Sequence, residues 1–436
     1  MKVSDNRRFL VHQDGRPFFY LADTAWELFH ALTREEAQRF LENRAAKGFT
    51  AIQAVVLAEL NGLSEPNAYG HLPLVDKDPT RPVEEYFKHV DFIVRRANEL
   101  GLYMAMLPTW ASWAVKAWNS QPIFTLETAR QYGQFLGRRY RDADIIWVLG
   151  GDRPAEGEVE VWRAMATGLA EGDGGRGIKT FHPSGGRSSS QWVHREPWLD
   201  FNMMQSGHGR PFQTNWKMLD ADYALVPVKP TLDGEPCYEN HPVGFNRKNR
   251  RFDQYDVRLA SYWSVFHGAC GITYGCHDIW MMHGPGRQRG SFSFNYWYES
   301  LNLPAAGQMR HLRGLMESRP YTTRIPDQAV IIGNPSDLPD HQAATRDGTA
   351  GAKDATYLML YTPLHRRPTV DSSLIAAAKL NAWWYNPRNG EATACACGVP
   401  NEGKFAADTP DHPDYDWVLV VDDASRNYPP PGSAIE

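Results

Sequence analysis

Ile145-Ile146-Trp147-Val148-Leu149-Gly150-Gly151-Asp152 and Pro230-Thr231-Leu232-Asp233-Gly234-Glu235-Pro236 are the two stretches that decide how this chain is read. Each is a short apolar run, too apolar for a surface loop, that ends in glycine and then a carboxylate. In a parallel barrel the C-terminal ends of all strands converge on one rim, and that rim carries the chemistry. Two carboxylates facing each other there meet the requirement for breaking a glycosidic bond. One protonates the leaving oxygen, and the other attacks the anomeric carbon or activates water.

The surrounding sequence supplies the barrel. Phe18 to Ala22 reads as a strand ending at Asp23. A helix opens at Thr33, where Glu36 completes a capping box, and stops at Gly48. Strands follow at Ala51 to Leu57, Leu102 to Leu107, Ile145 to Leu149, Ile178 to Phe181, Phe201 to Met204, Lys229 to Leu232 and Ile272 to Tyr274. Helical stretches separate most of them, among them Val83 to Leu100, Thr125 to Tyr140, Val159 to Leu169 and Phe252 to Phe266. Eight strands alternating with helices predict an α/β fold closed as a (β/α)8 TIM barrel over residues 1–320.

Beyond the Met309 to Ser318 helix the texture changes to short strands between turns: Val330 to Ile332, Thr356 to Tyr361, Ala382 to Tyr385 and Trp417 to Val421. Ser373 to Lys379 is the one helical candidate there. Residues 321–436 are expected to form a small all-β, β-sandwich domain. A length of 436 residues accommodates this pair, since such barrels take roughly 250 residues or more.

Composition excludes several classes. With 42% hydrophobic and 22% charged residues the chain is globular, and a net charge of −5 without a basic block argues against nucleic-acid or anionic-membrane partners. No long apolar run suggests a membrane span, and no apolar signal core follows Met1. Five cysteines at irregular spacing fit neither a disulfide framework nor a zinc site, so a reducing, cytoplasmic location is expected, or a periplasmic or secreted one if a signal peptide has been removed. Cys395-Ala396-Cys397 sets both thiols on one strand face, where burial is expected.

A metal-dependent hydrolase would need clustered histidines, and none of the 15 His residues forms His-x-His or His-Glu-x-x-His. Gly-x-Ser-x-Gly is absent, and the glycine-rich Asp173-Gly174-Gly175 and Ser184-Gly185-Gly186 segments lack a Walker lysine. No metal and no cofactor is therefore expected. A carboxylate at a strand end is also a common helix N-cap. That rival reading suits Asp152, because Pro154 follows it. It suits Glu235 less, because Pro236 keeps that residue extended.

Other polar and aromatic groups fall at strand ends and rim a bowl suited to a hydroxylated ligand. Asp23 and Trp26 follow strand one, Gln53 lies in strand two, and Glu59 and Asn61 lie just beyond it. Trp110, His182, Gln205 with His208, Tyr238, and Tyr274 with His277 complete the candidate substrate contacts. The 15 tryptophans offer flat faces for sugar rings, with core packing as the alternative use for each.

At this point the residues resemble a known family. Asp14-Gly15-Arg16-Pro17-Phe18-Phe19-Tyr20-Leu21-Ala22-Asp23-Thr24-Ala25-Trp26 is similar to the opening of the apiosidase-like glycoside hydrolases, glycoside hydrolase family 140 and relatives. Gly48 to Gln53, Leu107-Pro108-Thr109-Trp110, Gly150-Gly151-Asp152, Asp233-Gly234-Glu235-Pro236 and Thr273-Tyr274-Gly275 continue the similarity. Trp384 to Gly390 and Asp416 to Leu419 resemble the collagen-binding-type β-module often appended to it. The resemblance implies a retaining two-carboxylate mechanism with Asp152 as acid/base and Glu235 as nucleophile. It also implies apiose-capped pectin side chains, or related plant or algal saccharides, as substrate. A glycosidase of different linkage specificity and a non-catalytic carbohydrate-binding barrel are the alternatives.

Overall fold

A computed structural model describes residues 1–116, 121–287, 292–333, 339–364, 367–410 and 416–433. Eight parallel strands build the barrel: β1 (Tyr20–Thr24), β2 (Ala51–Leu57), β3 (Tyr103–Thr109), β4 (Ile145–Gly150), β5 (Lys179–His182), β6 (Asn202–Gln205), β7 (Thr231–Asp233) and β8 (Gly271–Tyr274). Their hydrogen-bonded order is β5-β4-β3-β2-β1-β8-β7-β6. No ladder joins β5 to β6. There the Asp200 amide donates to the Lys179 carbonyl at 2.9 Å and the Thr180 hydroxyl to the Phe201 carbonyl at 2.7 Å, which closes the ring. The strands are buried, save the half-buried Tyr103 at the start of β3, because helices cover the outside and side chains fill the bore.

The long helices on the outside are α1 (Arg34–Ala46), α2 (Glu84–Glu99), α3 (Leu126–Arg139), α4 (Val159–Asp173), α5 (Asn215–Tyr223), α6 (Gln254–Phe266) and α7 (Pro304–Glu317). The capping box forms as read: the Thr33 side chain accepts from the Glu36 amide at 3.3 Å, and Glu36 accepts from the Thr33 amide at 2.9 Å. After β5 the outer layer is reduced to the single turn Ser190–Val193.

The C-terminal module is a sandwich of two antiparallel sheets. The larger contains β9 (Ala343–Arg346), β10 (Tyr357–Thr362), β11 (Lys379–Tyr385), β12 (Ala392–Pro400) and β13 (Trp417–Asp423), ordered β9-β10-β13-β11-β12. The smaller joins Ile331–Ile332, Thr369–Val370 and Phe405–Ala406. Leu358, Leu360, Leu419 and Val421 pack against Val330, Ile331 and Val370 between them.

Two expectations for this module need correction. Ser373 to Lys379 is not a helix: Asp371 caps a three-residue turn at Ser372–Leu374, and the chain then runs extended into β11. Cys395 and Cys397 share a face of β12, but that face is exposed. β12 is the edge strand; Ala396, between the two cysteines, packs on the core, and beyond an irregularity in the pairing with β11 Val399 does so too.

Candidate active site

The chain after β4 makes an unusual turn. Gly150, Gly151 and Asp152 have φ of 88°, 126° and 58°, three successive residues on the left-handed side. Side chains at the first two positions are also excluded by space. A Cβ on Gly150 would collide with the His182 carbonyl, and one on Gly151 would stand 2.7 Å from the Trp110 ring. Asp152 adopts a conformation costly for a residue with a Cβ, a kind of strain that gathers at functional sites. It does not cap a helix. α4 begins seven residues later, with Glu158 in the N-cap position.

Glu235 follows β7 and is buried, 6% exposed. Its Oε1 accepts from His208 Nε2 at 3.0 Å, and its Oε2 lies 3.1 Å from His182 Nε2. The tautomer of His208 is fixed from behind, because its Nδ1 accepts the Tyr238 amide at 3.2 Å. Nε2 therefore carries the proton offered to Glu235. Below the rim, the Gln53 amide donates to the Gly234 carbonyl at 3.0 Å and steadies the turn before Glu235.

These surroundings drive the two carboxyls apart. Burial pushes Glu235 up, but the close His182 imidazole and the hydrogen bond from His208 outweigh it and hold the group well below the usual carboxylate range. Burial, then the charge of Glu235, push Asp152 up to about 6, against His182, Gln205 and Arg153. A third carboxyl, Glu59, is driven up to about 8 by burial and by the charges of Asp152, Glu27 and Glu235. The result is one carboxyl held ionised in the same cleft as another that keeps its proton up to about pH 6, the pattern that separates acid from nucleophile in two-carboxylate sites.

The pair lines a cleft of about 630 Å³, within the usual range for small-ligand sites, about 300–1,000 Å³. Trp26 and Trp110 wall one side, their ring centroids 5.4 Å apart, and Trp26 meets His182 edge-on at 5.3 Å. Glu59, Gln205, His208, Tyr238 and His277 also line it. His182 is fully buried beneath, against Glu235 and the two tryptophans.

Besides His182, four residues named from the sequence lie outside this cleft. Asp23 points outward from β1 and forms a buried ion pair with Arg44 of α1. Gln53 sits in the bore, bonded to the Tyr20 hydroxyl and the Gly234 carbonyl. Asn61 is exposed and bonds Glu65 at 3.1 Å. Tyr274 is buried and donates to Glu239 at 2.7 Å.

The sequence reading missed Arg210, Gln213, His241 and Phe245, which line the cleft from the loops after β6 and β7. The only sequence signal for them is the density of His and aromatic residues between positions 208 and 245. Among the described residues, no group of three or more His, Cys, Asp and Glu is placed to hold a metal ion, and no helix is long and apolar enough to cross a membrane.

Comparison with known proteins fits this geometry. A family model described as an apiosidase-like catalytic domain matches residues 4–323. A second, whose description proposes a collagen-binding domain of a collagenase, matches residues 325–422. A solved structure named as a glycoside hydrolase is 35% identical, covers 98% of both chains and superposes with a TM-score of 0.89. A glycoside hydrolase family 5 protein from Bacteroides vulgatus is 34% identical over 98% of this chain and 94% of its own, with a TM-score of 0.87. A family 27 β-L-arabinopyranosidase from Geobacillus stearothermophilus, 9% identical over 93% of this chain and 96% of its own at a TM-score of 0.54, shares the fold alone. No curated protein matches.

Proposed function

The chain belongs to the apiosidase-like glycoside hydrolases, and we propose that it cleaves its glycosidic bond with retention, using Glu235 as nucleophile and Asp152 as acid and then base. The observation that carries this reading is the unequal setting of the two carboxyls: Glu235 lies buried between the His182 and His208 imidazoles, at 3.1 and 3.0 Å, and Asp152 lines the same cleft from the left-handed turn after β4. Glu235 is clamped as an anion by two imidazoles and is ready to attack. Asp152, raised to about 6 by burial and by that anion, holds its proton below that pH and can donate it.

In the first step a Glu235 oxygen bonds to the anomeric carbon, the glycosidic C–O bond breaks, and the Asp152 proton passes to the departing oxygen. Formation of the ester consumes the charge on Glu235, so one of the causes raising Asp152 disappears and it becomes a competent base. In the second step water gives its proton to Asp152 and its oxygen to the anomeric carbon, and Glu235 is released as carboxylate. His182 and His208 hold the nucleophile in place throughout. The tryptophan walls present apolar faces to a sugar ring.

The substrate class we propose is an apiose-capped pectin side chain or a related plant or algal oligosaccharide, as the family membership suggests. Among the described residues, those lining the cleft all come from the barrel, which supports a C-terminal module that stays outside the chemistry. A panel of aryl glycosides and pectic oligosaccharides tests the reading. Turnover of one sugar class is expected to vanish in Glu235→Gln. Turnover of none, or turnover indifferent to that substitution, would overturn it.

A further inference from the structure

His241 plays no part in the two steps above, yet it stands in the same cleft. It lies on the loop after β7, with its ring centroid 4.5 Å from that of His208 and 4.5 Å, edge-on, from that of His277. Phe245 packs on it at 4.7 Å. The imidazole is thus wedged among rings and has little freedom to turn.

Its Nδ1 lies 2.8 Å from the Pro242 carbonyl oxygen. A carbonyl can only accept, so the proton sits on Nδ1 and Nε2 keeps a lone pair. Nδ1 is satisfied within the loop. Nε2 is not sealed among the buried polar atoms, and no donor among the described residues meets it. The Nε2 proton of the neighbouring His208 is committed to Glu235, so that imidazole does not supply this acceptor.

We propose that His241 is a specificity-determining residue whose Nε2 accepts a hydrogen bond from one hydroxyl group of the bound sugar, so that a ring lacking that hydroxyl is discriminated against. This rests on the hydrolase reading given above. The groups facing the imidazole keep it neutral: burial, then His208 and His277, drive its pKa down to about 2, against the Pro242 carbonyl and Glu235. The acceptor therefore persists at every pH at which the carboxyl pair works. Sites that hydrogen-bond a substrate hydroxyl reject analogues lacking it far more strongly than apolar pockets reject a missing methylene. A loss of about tenfold or more in kcat/KM is the scale expected from one neutral hydrogen bond.

Two measurements test this, one of which needs no turnover. Nitrogen-15 NMR of the full chain carrying labelled histidine, assigned with His241→Phe, is expected to show the Nδ1-protonated tautomer with no titration between about pH 5 and 8. Its Nε2 signal should move when apiose, arabinose, galactose or rhamnose is added. An Nε2-protonated ring, a titration near the ordinary histidine value, or an Nε2 signal indifferent to every sugar overturns the proposal.

The second measurement is kinetic, on the aryl glycoside that the wild type hydrolyses fastest and on its monodeoxy analogues. His241→Phe is expected to lose about tenfold or more in kcat/KM on the parent and nothing further on one deoxy analogue, with partial recovery in His241→Gln. An equal loss on every analogue, or no recovery in a folded His241→Gln, marks packing alone and also overturns it. A wild type that hydrolyses nothing while Nε2 still responds to sugar would refute the hydrolase reading and leave the role of His241 supported.

Discussion

Two regions of this molecule bury several charges each, and they do it in opposite ways. Where the barrel meets the β-module, opposite charges are matched. Arg258 of α6 makes a two-pronged contact with Asp416, both bonds 2.9 Å, and Arg388 adds a third at 2.9 Å. Arg319 does the same to Asp422 at 2.8 and 2.7 Å. At the rim, like charges are gathered instead: Glu59, Asp152 and Glu235 bear on one another, and burial drives two of them toward the neutral form. Matched buried pairs fix two domains in one relation. Mismatched carboxyls destabilise the fold locally and give the groups the unequal proton affinities that acid–nucleophile chemistry uses. The backbone follows the same division, since the left-handed Asp152 is at the rim.

The largest effect expected from breaking the contrast is at Glu235. Glu235→Gln removes the anion, and turnover is predicted to fall by about 10³-fold or more while the circular dichroism spectrum stays that of the wild type. A folded variant within tenfold of wild type would remove Glu235 from the mechanism. Asp152→Asn comes next, with a loss of about 10²–10⁴-fold on substrates with poor leaving groups. The loss should shrink on 4-nitrophenyl glycosides, whose leaving group departs without a proton, and an equal loss on both would deny Asp152 the acid role.

At the interface the expected damage is to stability and not to rate. Asp416→Ala strands the Arg258 and Arg388 guanidiniums, and removing one partner of a buried pair costs about 3–5 kcal/mol. Thermal unfolding should show a lowered Tm with kcat unchanged for the folded fraction. A stable variant that has lost turnover would mean that the module reaches the chemistry. The gentlest probe is pH. Asp152 must be protonated to act and its pKa is raised to about 6, so kcat/KM should be full below that value and fall as pH rises through it. In Asp152→Asn that alkaline limb should be absent.

Much of the barrel was legible because local signals are strong in it. The Thr33–Glu36 capping box, the strand texture of Ile145 to Gly150 and the alternation of strands with amphipathic helices each carry their own physical cause. The placement of Asp152 and Glu235 at the rim was legible as well, because a glycine before a strand-end acid is a local pattern. Which way a strand-end residue faces is not local. Asp23 and Trp26 are three residues apart, yet one meets α1 and the other the cleft, because side chains alternate and the register of neighbouring strands decides which face is the bore. Cys395 and Cys397 were misjudged for a related reason: burial of one face of a strand depends on whether another layer packs over that face, and the face that carries these two cysteines is exposed. His241 left only the local density of His and aromatic residues as a signal, since its place depends on how the loop after β7 meets the one after β6, where the Gly244 amide donates to the His208 carbonyl at 2.9 Å.

The most direct test of the central claim, a nucleophilic Glu235 beside a proton-donating Asp152, is proton NMR of the first-formed product anomer, followed before mutarotation on a substrate that the enzyme cleaves. The account predicts a product with the anomeric configuration of the substrate. A first-formed product of inverted configuration would contradict it, because water and not Glu235 would then have attacked the anomeric carbon.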